Sequence, residues 1–115
     1  MNMMVRLALL LAGFTFALPG SASAQDDAAV RQMFEAGQYQ QVIDATAGAA
    51  DPQALYVAAQ SRQKLGASDE ARETYGQLAA RPEGEAWHFI GLSGQHLLDD
   101  QTEPALAAAR QAAAM

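Results

Sequence analysis

Along most of the chain, apolar or small residues return every three or four positions. Tyr39, Val42, Ile43, Thr46 and Ala49 form one such set; Leu55, Ala58, Ala59 and Leu65 a second; Ala71, Tyr75 and Leu78 a third; Trp87, Ile90, Gly91, Gly94, Leu97 and Leu98 a fourth. That spacing gathers each set on one face of a helix. Breakers punctuate the pattern at Gly37, Asp51-Pro52, Gly66-Ala67-Ser68, Arg81-Pro82 and 99–104. Helices are therefore predicted over 26–36, 39–49, 52–65, 68–80, 83–98 and 102–113. Asp51 is placed to cap a helix with Pro52 in its first position, where the missing N–H costs nothing. Ser68 is expected to cap the next, with Asp69 and Glu70 at its positive dipole end, and Thr102, Glu103 and Pro104 repeat the arrangement. β-Branched residues are few and alanine, glutamine and glutamate many, so the fold class is all-α. Helices this short and this rich in alanine bury too little surface to stand alone and must lie against neighbours.

The helices repeat as pairs. Aligning the turn inside each pair puts Val42, Ala71 and Ala105 in register at intervals of 29 and 34, with Thr46, Tyr75 and Ala109 four positions later. Pro52 and Pro82 close the first two units. At Trp87-x2-Ile90-Gly91, followed in register by the Ala71-x3-Tyr75 and Pro82 of the unit before, the chain resembles the tetratricopeptide repeat, W-x2-L-G-x2-Y, A-x3-F, P over about 34 residues. The resemblance covers about 26–113 as three units, 26–50, 51–81 and 82–114. It implies antiparallel helix pairs stacked as a short right-handed solenoid. Gly91 and Ala59 would let the two helices of a pair approach closely, with Ala71 and Ala105 facing them, while Tyr75 and Trp87 fill the space between pairs. The chain departs from the family in its short first unit, in Thr46 and Gly94 where rings are usual, and in a break at 99–104 that is expected to be longer than the family's turn. A plain six-helix bundle is the other arrangement the pattern allows.

The first residues change the picture of the whole. Arg6, the apolar run 7–18, Pro19-Gly20 and Ala22-Ser23-Ala24 read as a secretory leader cleaved after Ala24, which makes 1–24 a signal peptide and 25–115 the mature domain. Twelve apolar residues fall short of the ~20 that span a bilayer, so no stable membrane anchor is expected. The chain contains no cysteine, which excludes a lipidated cysteine, disulfides and thiolate metal sites. A periplasmic or secreted location follows as an expectation. Without Arg6 the chain keeps six basic residues against thirteen acidic ones, spread along its length. Nucleic acid and anionic membranes, which need a concentrated positive patch, are not expected partners.

Candidate chemistry concentrates in 86–100, where Ser93, His88, His96, Asp99 and Asp100 could be imagined as a hydrolytic set. Gly91-Leu92-Ser93-Gly94 is one residue short of G-x-S-x-G and sits on a predicted helix, without the strained strand-to-helix turn that exposes a nucleophile. A metal held by His88, His96 and Asp99 fails on geometry, because eight residues set the two rings about 80° and about 12 Å apart on a helix. No catalytic residue, metal or cofactor is expected. What the resemblance implies is a concave groove lined by the first helix of each pair, where the family holds a peptide or partner helix. The groove positions most suited to binding are Arg31 and Phe34, then Tyr56, Gln60 and Lys64, then His88, Leu92, Gln95 and His96. Asp27, Glu35, Gln53, Gln63 and Glu85 share the same face. The family's clamp for C-terminal carboxylates needs lysines and asparagines, and Asn is absent beyond the leader. The expected function is a non-enzymatic adaptor or scaffold of the cell envelope. The alternatives are a self-associating structural or regulatory subunit, or the first part of a longer array. "ALAAARQAAAM" lacks the polar outer face of a capped end, which leaves three readings: the end packs on a partner or second copy, the chain continues into further repeats, or its small alanines leave so little apolar surface that no cap is needed.

Overall fold

A computed structural model describes residues 23–115, which form an all-α fold: six helices and, among the described residues, no strand. They are α1 Ser23–Glu35, α2 Tyr39–Ala45, α3 Pro52–Lys64, α4 Ser68–Ala79, α5 Ala86–Leu98 and α6 Thr102–Ala113. Each packs on its neighbours in sequence, and α1 also reaches α3. The expected leader falls on residues outside those described, apart from Ser23 and Ala24 at the start of α1. No helix among the described residues is long and apolar enough to cross a membrane.

One turn recurs three times. After α1, Gly37 N–H donates to Phe34 O (3.0 Å) and Gln38 N–H to Met33 O (2.9 Å). After α3, Gly66 N–H donates to Gln63 O (3.0 Å) and Ala67 N–H to Arg62 O (2.8 Å); after α5, Asp100 N–H donates to Leu97 O (3.1 Å) and Gln101 N–H to His96 O (2.8 Å). This paired closure satisfies the last carbonyls of a helix and needs a left-handed residue just past its end. Gly37 (φ 78°), Gly66 (φ 80°) and Asp100 (φ 59°) hold that position. The next helix then opens with Val42, Ala71 and Ala105 donating to Gln38, Ala67 and Gln101, and all three are buried. The registered residues thus occupy equivalent places.

The unequal intervals have a single cause. α3 and α5 are each 13 residues, the turns each three and the links 46–51 and 80–85 each six, but α2 has 7 residues and α4 has 12. The expected helix over 39–49 therefore stops at Ala45. Thr46 turns its hydroxyl back onto Val42 O (2.8 Å), Gly48 is left-handed (φ 78°), and Pro52 disfavours helix at Asp51. The break at 99–104 is likewise corrected: α6 begins at Thr102, with Pro104 in its first turn, so this turn is no longer than the others. Asp51 caps α3 through Ala54 N–H (3.1 Å), whereas the cap positions before α4 and α6 fall on Ala67 and Gln101, with no side-chain cap from Ser68 or Thr102.

The core centres on Ala59, Tyr75 and Leu78, with Leu55, Tyr56, Trp87 and Leu98 packed around them. α5 approaches α4 closely at two glycines. A Cβ on Gly91 would stand 2.4 Å from Ala79 N and 2.6 Å from Tyr75 O, and one on Gly94 would stand 2.4 Å from the Tyr75 ring. The resemblance to the tetratricopeptide repeat implies that Gly91 serves the approach of α5 to α6; its contact is instead with α4, at Ala79, Tyr75 and Leu78.

Candidate functional site

The nine expected groove residues do not share one environment. Arg31 is exposed on α1, and Phe34 is half-buried with its ring edge-on to Tyr39, centroids 5.4 Å apart, so it serves the contact of α1 with α2. Gln60 is half-buried on α3 and Lys64 exposed at its C-terminal end. His88 points Nδ1 between two carbonyls, Ala79 O (2.7 Å) and Arg81 O (3.0 Å). Both are acceptors, so Nδ1 carries a proton and closes off the C-terminal end of α4. Gln95 donates to Arg72 O on α4 (3.4 Å), and His96 Nδ1 meets Gln101 Oε1 (2.8 Å). Leu92, between His88 and Gln95 in sequence, is half-buried. His88 and Gln95 therefore turn their polar atoms onto the α4 backbone. Ser93 donates to Ala105 O (2.9 Å), and Asp99 pairs with Arg72. Among the described residues no group of three histidines or carboxylates is placed to hold a metal ion.

Tyr56 is different. Its ring lies 5.8 Å from that of Trp87, and it lines a trough of about 380 Å³ formed mostly by α5 and α6. Ile90, Ser93 and Leu97 of α5 contribute to this trough from one helix, Ala109, Ala112 and Ala113 of α6 from the next. Tyr75 reaches its lining beside Gly94, whose missing side chain gives the ring room. A shallower depression of about 180 Å³ shares Ser93, Leu97 and Ala109 and adds Leu106. Leu97 is 52% exposed and Leu106 44%, so a continuous apolar surface runs open to solvent along α5 and α6.

The chemistry of this surface is plain. It contains no Asp, Glu, Lys or Arg, although the chain as a whole carries a net charge of −6. Of its hydroxyls, Ser93 donates to Ala105 O and Tyr75 to Gln63 Oε1 (2.9 Å), while those of Tyr56 and Thr102 have no hydrogen-bond partner among the described residues. Burial and the neighbouring Tyr56 push the Tyr75 phenol up to about 12, so it stays neutral. Small-molecule pockets set a few convergent polar groups in an apolar wall. With two of its three hydroxyls engaged, this trough offers mainly shape and apolar area.

The repeated turn gives the trough a counterpart. Thirty-four positions before Ile90, Ser93, Ala109, Ala112 and Ala113 stand Tyr56, Ala59, Tyr75, Leu78 and Ala79, the residues on which α5 itself is seated. Sequence reasoning flagged the alanines of α6 as an uncapped end but did not assign them to a cavity; extending the register of Tyr75 and Ala109 to the rest of each helix would have done so. No protein-family model, no curated protein and no solved structure matches this chain.

Proposed function

We propose that the chain is a non-enzymatic adaptor or scaffold of the cell envelope, three tetratricopeptide-like units stacked as a short right-handed solenoid, that holds a helix of a partner protein. The binding surface in this reading is the trough between α5 and α6, reached from Tyr56, in place of a groove spread over all three first helices. One observation supports it: five residues lining the trough stand 34 positions after residues of α3 and α4 around which α5 packs. A seat of that form takes a helix, and its apolar, uncharged lining takes the apolar face of one.

The test is capture from a cell-envelope extract, with captured proteins identified by mass, using the wild type, Ala109→Glu/Ala112→Glu and Lys64→Glu. Loss of one defined partner in the trough variant, with capture retained by Lys64→Glu, is the expected result. The same partner retained by the trough variant would overturn the reading. The open leucines of α5 and α6 also favour the alternative of self-association, which concentration-dependent mass in sedimentation would reveal.

A further inference from the structure

The trough and its counterpart differ in bulk, and that difference describes the helix that fits. Where α5 sits on α4, the large groups belong to the seat: Tyr75 and Leu78 are buried at 4% and 0% exposure. α5 answers with glycines. Gly91 yields to α4 backbone, and Gly94 yields to the Tyr75 ring, while Trp87 and Leu98, at four positions either side of that pair, pack around the core. α5 and α6 repeat the helix lengths and closing turn of α3 and α4, but Ala109 stands 34 residues after Tyr75 and Ala112 34 residues after Leu78. An occupant seated like α5 still needs a small residue over the α6 backbone. Three residues later it faces open volume.

Resting on the function proposed above, we infer that the trough binds an amphipathic partner helix with the pattern bulky-x3-small-x2-bulky-x3-bulky on its buried face, without charge there. Gly or Ala fills the small position. A large aliphatic or aromatic side chain stands where α5 has Gly94 and occupies the space the tyrosine ring has vacated. The same pattern excludes a close copy of α5, whose glycine at that place would leave the cavity empty and forfeit its contacts.

Synthetic peptides spanning 82–99 of this chain serve as probes, fluorescein-labelled and read by anisotropy against the full domain. The decisive pair is Gly94→Ala against Gly94→Leu, since alanine and leucine favour the helix almost equally and differ in bulk. The leucine peptide is expected to bind roughly tenfold tighter or better, the factor for burying one such side chain. Adding Gly91→Leu to it should abolish binding. In the Ala109→Tyr protein, with its helicity checked by circular dichroism, the preference for leucine should vanish. Equal binding of the alanine and leucine peptides, or tolerance of Gly91→Leu, overturns this inference and leaves the helix seat standing. Failure of every peptide on both proteins overturns the seat itself. A wild-type domain that sediments as a dimer broken by Ala109→Glu would put a second copy in the trough and likewise overturn the inference.

Discussion

Two faces of this molecule are related by the same interval of 34 residues and have different fates. On α3 and α4, Tyr75 and Leu78 lie buried beneath α5; on α5 and α6, their counterparts Ala109 and Ala112 line the trough, exposed and half-buried. The covered face supplies the bulk and its covering helix supplies glycines. The open face has alanines at the matching positions. Under the function proposed above, the repeated helix pair sets where a partner helix sits, and side-chain size on the seat decides which helix it accepts.

The sharpest way to break this comparison is to truncate one leucine on each face. Leu78→Ala removes a fully buried side chain at the junction of α4 and α5 and is expected to cost about 3–4 kcal/mol in urea denaturation. Leu106→Ala, on a residue 44% exposed beside the trough, is expected to change stability by less than about 0.5 kcal/mol. Similar losses at both sites would mean that the α5–α6 face is already covered in solution.

The two faces also differ in what they can titrate. Tyr75 is buried and its phenol pushed up to about 12, against 10 in an unfolded chain. The folded state then favours the neutral ring, so this contribution is whole below pH 10 and fades as the pH climbs from 10 to 12. A shift of that size is worth roughly 2–3 kcal/mol across the window. Tyr75→Phe is expected to lose about 1 kcal/mol at neutral pH with the bond to Gln63, and to show a stability profile flatter than wild type by roughly the titration amount. Parallel profiles for the two proteins would show that Tyr75 is not sealed beneath α5. Ala109, its counterpart, gives the open face no such sensitivity.

Much of this organisation can be read along the chain, and the exceptions have physical causes. Gly37 and Gly66 announce the turns, and Val42, Ala71 and Ala105 mark equivalent buried positions. The early end of α2 was hidden because Ala49 continues the helical spacing past Thr46 and Gly48, which stop the backbone. Tyr56 stood out as a large ring on a polar face. His88 and Gln95 fall on that same face of the helical wheel, but the wheel holds no information about neighbouring helices. Only when Gly91 brings α5 against α4 do the carbonyls of Ala79, Arg81 and Arg72 come within reach of those side chains. The trough was illegible for the related reason that alanine marks an end by lacking bulk, and lacking bulk is visible only against a counterpart that has it.

The turns that lead into α4 and α6 give the smallest and most local contrast. Both close with the same two hydrogen bonds and both need a left-handed residue, yet the one before α4 has Gly66 at φ 80° and the one before α6 has Asp100 at φ 59°. A side chain in that region crowds the backbone, at a cost of about 1–2 kcal/mol that Asp partly recovers through its short polar group. Gly66→Ala is therefore expected to destabilise by about 1 kcal/mol, and Asp100→Gly to stabilise by about 0.5–1 kcal/mol, both measured by denaturation at neutral pH. Since Asp99, its neighbour, already holds Arg72 of α4, Asp100 is free of that pairing and its replacement isolates the backbone effect. A loss of stability in Asp100→Gly would show that its carboxylate secures the start of α6, and that the two turns are equivalent in their hydrogen bonds but not in what holds them.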